Sequence, residues 1–387
     1  MGTRFGFIYH DDYLKYDFGK GHPLSAIRIQ MHKELLELNS FFENENVVLI
    51  EPSNCSDEDL QTVHSKDYIN FIKRLSVSGE GSVDGKDTPA FKGMYDVTKT
   101  SVGGTLTAVD EIMKGNLNHA WNPGGGFHHA KTSSGGGFCI FNDIAIAIKR
   151  LLGKYNVKRI MYIDIDAHHG NGIQDIFYDD SRVCKISLHE SGQTLYPYSG
   201  FEEEIGRRDG KGYNINIPLP MGTFDEAYIQ VFSEVLPLVA EFYSPEFIIL
   251  AAGADAHYLD PLSHLQLTSS TYLRVADIVH ELSHKHCKGR CAMLGAGGYS
   301  LDATPRMWSL MVSRFSGIEL SDEIPAEWRN KFKSYYPDLK PPARLIDTSL
   351  PKIDPERLRK ISEYISDITN RIKENMYLIY GFFKLIK

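Results

Sequence analysis

Four stretches of the chain concentrate side chains that can hold a cation or move a proton. One is IDIDAHHGN (163–171), which carries Asp164, Asp166, His168 and Asn171. The others are GADAH (253–257) with Asp255, GGY (297–299) with Tyr299, and NPGGGFHHA (122–130) with His128 and His129. Asp166 and His168 stand at i and i+2, so on extended backbone they project from one face with Cα atoms about 6–7 Å apart. That spacing suits two ligands of one cation, and Asp255 supplies a third if its segment lies alongside. Three nitrogen and oxygen ligands with an open fourth position describe a catalytic rather than a structural zinc site, although manganese, iron(II) or cobalt would accept the same donors. Taken singly, an Asp-x-His pair is ordinarily a turn-capping aspartate beside a hydrogen-bonded histidine. Here Asp164, Asp166, His168 and Asp255 close two apolar runs, where unpaired buried charge is costly and a cation offsets the cost.

His128 and His129 would be surface polarity on an ordinary loop. After three glycines they can approach a ligand closely, and an imidazole beside an activated water is the usual proton carrier at neutral pH. Asp164 is placed to hold one of these rings through its N–H. Tyr299, behind two glycines, is a candidate donor to a developing oxyanion; standing alone it would read as a tyrosine in a βα turn.

These residues need a frame that brings them together. Apolar runs at 47–50, 159–165, 183–188, 247–252 and 291–296 read as buried strands, and 143–152, 227–242 and 269–284 as helices. A short strand-like stretch also precedes Asn122. Such alternation predicts a parallel sheet with helices on both faces, an α/β three-layer architecture, with ligands at the carboxyl ends of the strands. Residues 78–89 read as a surface loop. From about Gly317 the pattern changes to a proline-spaced stretch and a final helix capped by Asp354, with Leu358, Ile361, Ile365, Ile368 and Ile372 as its apolar stripe. We therefore divide the chain into a catalytic domain, 1–316, and a C-terminal extension, 317–387, packed on that domain or on a second subunit.

Composition narrows the function classes. The 387 residues carry 42 Lys+Arg against 50 Asp+Glu, a net charge of −8, with no basic block, which argues against direct nucleic-acid binding. No stretch is long and apolar enough for a leader or a membrane span, and five scattered cysteines make no disulfide framework, so a cytoplasmic location is expected. No GxGxxG follows a strand and no GxSxG elbow occurs. Gly135–Gly137 could form a phosphate nest but lacks a following Lys-Ser/Thr. His284, His286, Cys287 and Cys291 are loosely spaced like a second metal site, yet read better as a polar loop.

The segments HPLSAIR (22–28), GGGFHHA (124–130), GFCIFND (137–143), YIDIDAHHGNG (162–172), SLH (187–189), GAD (253–255) and GGY (297–299) together resemble the zinc-dependent histone deacetylase superfamily, over about residues 5–315. DAHYLDPL (255–262) and the extension are similar to prokaryotic members, including acetoin-utilisation deacetylases. The resemblance implies the arginase–deacetylase fold, with a mainly parallel sheet of about eight strands. It implies one Zn2+ on Asp166, His168 and Asp255, with His129 as general base and later acid. His128 would be its electrostatic partner, held by Asp164, and Tyr299 would polarise the acyl carbonyl. Gly137, Phe138 and Tyr196 would wall a narrow channel, with Leu262 at its mouth and Gly297 beside the substrate. Asp87 would orient substrate at the rim, and Arg28 would line an internal cavity. Structural K+ would take Asp164, Asp166, His168, Ser187 and Leu188 at an inner site. Phe177, Asp180, Val183 and Tyr213 would form an outer one.

Three departures stand out. Asn171 replaces an aspartate common in the family, leaving His129 a neutral partner and a lower pKa. Tyr196 replaces the more usual phenylalanine. Leu262 stands where polyamine-selective members can carry an acid. The implied activity is removal of acetyl or other acyl groups from the ε-amine of lysine in a protein or peptide, releasing acetate. The alternatives are a small-molecule deacetylase (acetylpolyamine or acetoin-utilisation type) and, more remotely, an acyl-binding protein without turnover. A two-manganese ureohydrolase is disfavoured because Gly170 occupies the last position of DxHxD.

Overall fold

Residues that alternate between two apolar layers build the sheet. In the computed structural model, which describes residues 4–384, eight strands run in chain order: β1 (Phe5–Ile8), β2 (Val47–Ile50), β3 (His119–Asn122), β4 (Ile160–Asp164), β5 (Val183–Glu190), β6 (Asn214–Leu219), β7 (Phe247–Ala251) and β8 (Cys291–Leu294). They form one sheet in the order β2-β1-β3-β8-β7-β4-β5-β6, parallel at every pairing. Along β4, Met161 and Ile163 enter one apolar layer while Ile160 and Tyr162 enter the other. This is the period-2 alternation of a strand buried on both faces.

The helices are α1 (Ile27–Glu37), α2 (Asp57–Gln61), α3 (Lys66–Ser78), α4 (Met94–Met113), α5 (Asp143–Gly153), α6 (Asn171–Ile176), α7 (Asp225–Tyr243), α8 (Ser269–Cys287), α9 (Ala303–Ser316), α10 (Ala326–Tyr335) and α11 (Pro355–Lys384). α3, α4 and α5 cover one face of the sheet. α1, α7, α8 and α9 cover the other, joined by α10 and α11. The three-layer architecture is the one expected.

The runs read as strands and helices lie where the sequence places them, within a few residues at their ends. β1 and β6 were not anticipated, and β3 only as a strand-like stretch without bounds. Each is short; β3 is bracketed by His119 and Asn122, and β6 contains Pro218. A proline is tolerated in β6 because that strand lies at the sheet edge. The C-terminal segment lies on the main body. Trp328 of α10 donates its indole N–H to the Met31 carbonyl at 2.9 Å. Ile361, Ile365, Ile368 and Ile372 of α11 are buried in the layer that holds α7, with Leu358 only partly covered and Met376 added. The Asp354 carboxylate accepts from the Glu356 and Arg357 amides at 3.0 and 3.2 Å, capping α11.

Candidate active site

β4 and β7 are register neighbours, with Asp164 opposite Ala251, so the segments that follow them leave the sheet side by side. This brings Asp166, His168 and Asp255 into one buried group whose ligand atoms all lie within 4.8 Å of one another. His168 Nδ1 is 3.1 Å from Asp166 Oδ1 and 2.9 Å from Asp255 Oδ2. Backbone donors aim the carboxylates: Gly297 N–H to Asp166 Oδ2 at 2.6 Å, and Ala167 N–H to Asp255 Oδ1 at 2.8 Å. Burial and the neighbouring Asp166 push the Asp255 carboxyl up to about 8. Although burial opposes it, the two carboxylates hold His168 well above the ordinary imidazole value. Such a site draws positive charge to itself. Ligands of a tetrahedral ion at 2.0–2.1 Å lie ~3.3 Å apart, close to these separations, so the donor set fits one borderline divalent cation such as zinc.

The two histidines reach the same point from the loop after β3. Asp143, buried at the start of α5, pins that loop by accepting from Gly126 N–H at 3.0 Å and Phe127 N–H at 2.8 Å. Gly126 has φ of 101°, and a Cβ there would lie 2.3 Å from the Ala296 nitrogen, so only glycine fits. His128 Nδ1 donates to Asp164 Oδ2 at 2.8 Å, and the Tyr162 hydroxyl donates to the same oxygen at 2.6 Å. His129 Nδ1 donates to Asn171 Oδ1 at 2.9 Å, and the two Nε2 atoms face each other at 3.0 Å. Burial disfavours a charge on His128, but Asp164 and Asp166 outweigh it and raise its pKa to about 9. Burial, followed by the charges of His128 and His168, takes His129 well below the ordinary value. The surroundings thus favour the charged form of His128 and the neutral form of His129.

Tyr299 closes the group. Its ring stands edge-on to His168 at 6.2 Å and to Phe138 at 5.7 Å. Burial and the two aspartates keep its phenol protonated, so it is a donor. Asp260 fixes the turn, accepting from Tyr299 N–H at 2.7 Å and from Leu262 N–H at 2.9 Å. A narrow cavity is walled by His128, His129, Gly137, Phe138, Asp166 and Tyr299, and is also touched by Arg28 and Gly297. Arg28 reaches a second cavity of similar size behind it, near Tyr13 and Pro123, and donates to the Gly298 carbonyl at 2.7 Å. The Tyr196 ring lies 5.1 Å from that of His129. Asp87 and Leu262 do not line this cavity. Asp87 sits on the exposed 78–89 loop, where its carbonyl accepts from His22, whose ring packs on Phe138. Leu262 is tied to the site through Asp260.

Reasoning from sequence missed the pins Tyr162, Asp143 and Asp260, although each stands inside a quoted motif. It also missed Asp84, whose carboxylate meets that of Asp87 on the same loop: loss of hydration and then Asp84 raise the Asp87 carboxyl above its ordinary value.

Of the residues expected to hold potassium, Asp164 and Ser187 are opposite each other on β4 and β5, beside Asp166, His168 and Leu188. The outer set departs from expectation. The buried Lys185 ammonium donates to the Phe177 carbonyl at 2.6 Å, and the Asp180 carboxylate is taken by Arg182 at 2.9 Å. Lys185 N–H donates to the Tyr213 carbonyl at 2.9 Å, and Val183 N–H to that of Asp180 at 3.3 Å. An ammonium of the chain's own therefore stands on the outer group, which does not fit an added potassium ion.

The histone deacetylase domain, as a family model, matches residues 22–315. The acetoin utilization protein AcuC of Bacillus subtilis is 39% identical over 339 residues, spanning 86% of this chain and 87% of that one. A probable deacetylase of Archaeoglobus fulgidus is 38% identical over 320 residues, spanning 82% and 87%. The crystal structure of an HDAC homolog from Aquifex aeolicus superposes with a TM-score of 0.82 at 32% identity, covering 96% of this chain and 100% of that one. An HDAC homolog complexed with SAHA gives 0.81 at 32% identity, covering 94% and 100%.

Proposed function

The chain belongs to the histone deacetylase family and is a hydrolytic deacetylase, and from that premise we propose that it removes acetyl groups from the ε-amine of lysine side chains in proteins or peptides. The observation that carries this reading is the convergence of a base, a cationic imidazole and a phenol donor on one buried ligand group, at the end of an aromatic-walled cavity. Asp166, His168 and Asp255 would hold one zinc ion, whose chemistry when bound is Lewis-acid polarisation of the acyl oxygen and acidification of water.

The chain's own residues do the rest. Asn171 keeps the His129 proton on Nδ1, leaving Nε2 as the base that takes a proton from the attacking water. The new bond is C–O and the broken bond is the amide C–N. The proton held at Nε2 passes to the leaving amine, and acetate and a free amine depart. His128, held cationic between Asp164 and Asp166, steadies negative charge gathering at the acyl oxygen, and the Tyr299 hydroxyl donates to that oxygen. Gly137, Phe138 and Tyr196 grip an unbranched aliphatic stem and exclude water from the reacting carbon. The inner potassium set would neutralise Asp164 from the side of β5. Five free cysteines, all buried, suit a reducing cytoplasm.

A small acetylated amine is the second reading, favoured by the paired rim carboxylates Asp84 and Asp87, which would attract a cationic tail. The test is acetate release from zinc-loaded protein on acetyl-lysine peptides, acetylspermidine and acetylputrescine, with Asp255→Ala as the blank. Peptide preference upholds the lysine reading; polyamine preference replaces it with the second. No release from any of the three by zinc-loaded protein would overturn both.

A further inference from the structure

A second histidine cluster lies at the other end of the sheet. His119 opens β3, whereas the catalytic loop leaves β3 after Asn122, three residues or ~10 Å further along the strand. His280 and His284 sit one turn apart on α8, the i and i+4 spacing that puts both rings on one helix face. The ligand atoms of these three histidines lie within 4.8 Å of one another. His284 Nε2 is 3.2 Å from His119 Nε2 and 3.1 Å from His280 Nε2. Phe315 of α9 backs the group, its ring 5.3 Å from His119 and 5.4 Å from His280.

Hydrogen bonding accounts poorly for this arrangement. His284 Nε2 offers either one proton or one lone pair, so it cannot make a full hydrogen bond to both His119 Nε2 and His280 Nε2. His119 is fully buried, and among the described residues its Nδ1 has no hydrogen-bond partner that would account for an imidazole at a core position. Among the described residues no carboxylate is hydrogen-bonded to any of the three, and Asp277, one turn before His280, is engaged by Arg314 at 3.4 Å. Three ring nitrogens aimed at one point, at separations near the ~3.3 Å edge of a tetrahedral zinc site, are what a borderline divalent ion accepts. Burial is graded from His119 through His280 to the exposed His284, which leaves an entry path and a fourth position open to water. The grouping of His284 with His286, Cys287 and Cys291 considered from sequence does not form: Cys287 points its thiol at the Pro245 carbonyl, and His286 lies near Glu241.

We propose that His119, His280 and His284 form a second zinc site, separate from the catalytic centre, which clamps α8 onto the amino end of β3.

Zinc content of the full-length protein, measured after equilibration with zinc and gel filtration, tests this. Wild type should carry about two ions per chain, and His280→Ala/His284→Ala and Asp255→Ala about one each. The triple variant should carry none. His280 is only partly buried and His284 is exposed, so the double variant should fold and keep its deacetylase turnover. Cobalt substitution in the Asp255→Ala background should give a visible absorption band that disappears in the triple variant. Equal zinc in wild type and His280→Ala/His284→Ala, or none in Asp255→Ala, would overturn the proposal whatever substrate the enzyme takes.

Discussion

Tyr299 is the residue whose removal separates chemistry from metal binding. In the proposed mechanism, Tyr299→Phe deletes one donor to the developing oxyanion and leaves Asp166, His168 and Asp255 untouched. Its kcat should fall by ~10²–10³ with zinc content unchanged; a variant keeping half its activity would end the assignment. Glycine substitutions divide the site differently. A Cβ at Gly297 would lie 2.3 Å from Asp255 Oδ2 and 2.5 Å from Asp166 Oδ2, so Gly297→Ala should lose the catalytic metal and turnover together. Gly137 has φ of 53°, and a Cβ there would meet the His129 ring at 2.4 Å and the Tyr196 ring at 2.8 Å. Gly137→Ala should therefore retain zinc while kcat/KM for acetyl-lysine peptide collapses. Metal content measured beside kinetics discriminates the two.

Helix docking contributes a pH dependence of its own. His32 of α1 is fully buried between Phe7, Trp121 and Trp308 and donates through Nδ1 to the Ser309 hydroxyl of α9 at 3.0 Å. Burial takes its pKa from 6.5 down to about 3. Below pH 6.5 the unfolded chain binds a proton that the folded chain refuses, so this contribution to stability is complete above 6.5 and is lost as pH falls toward 3. Between pH 7 and pH 5, wild type should lose about 2 kcal/mol more than His32→Met in urea unfolding. Parallel slopes for the two proteins would remove His32 as the cause. At this scale β4, β5, β7 and β8 were legible because both faces are buried and most positions are hydrophobic. β3 and β6 were not, since four to six residues containing His, Asn or Pro carry no usable periodicity and take their conformation from the strands beside them.

Across the whole molecule, the C-terminal segment completes a layer that the 1–316 region leaves uncovered. Ile365 and Ile368 are both fully buried in the layer shared with α7, on the β6 edge of the sheet and away from the catalytic cavity. Ile365→Ala and Ile368→Ala should each cost ~2–4 kcal/mol in unfolding free energy, with zinc content and KM unchanged under native conditions. The same segment also reaches back toward the site. The Asp347 carboxylate accepts from His257 Nε2 at 2.9 Å and from Ser269 N–H at 2.8 Å, and pairs with Arg306 at 3.0 Å. It thereby ties the turn after Asp255 to the start of α8 and to α9. The amphipathic stripe of α11 was visible in the sequence; this tether was not, because a lone aspartate in a proline-spaced stretch gives no sign of what it faces.

What the sequence by itself determined is local. Asp166 and His168 share a face because strand backbone repeats every two residues, the histidine pair follows three glycines because the loop needs them, and the ordered motifs specify the family. What only the tertiary structure decided is which distant groups meet. Asp255 joins His168 across 87 positions, Asp164 finds His128 across 36, and His284 reaches His119 across 165. Those meetings depend on strand order and on which helix covers which face, and both follow from burying apolar surface over the whole chain. Local spacing holds no record of that outcome.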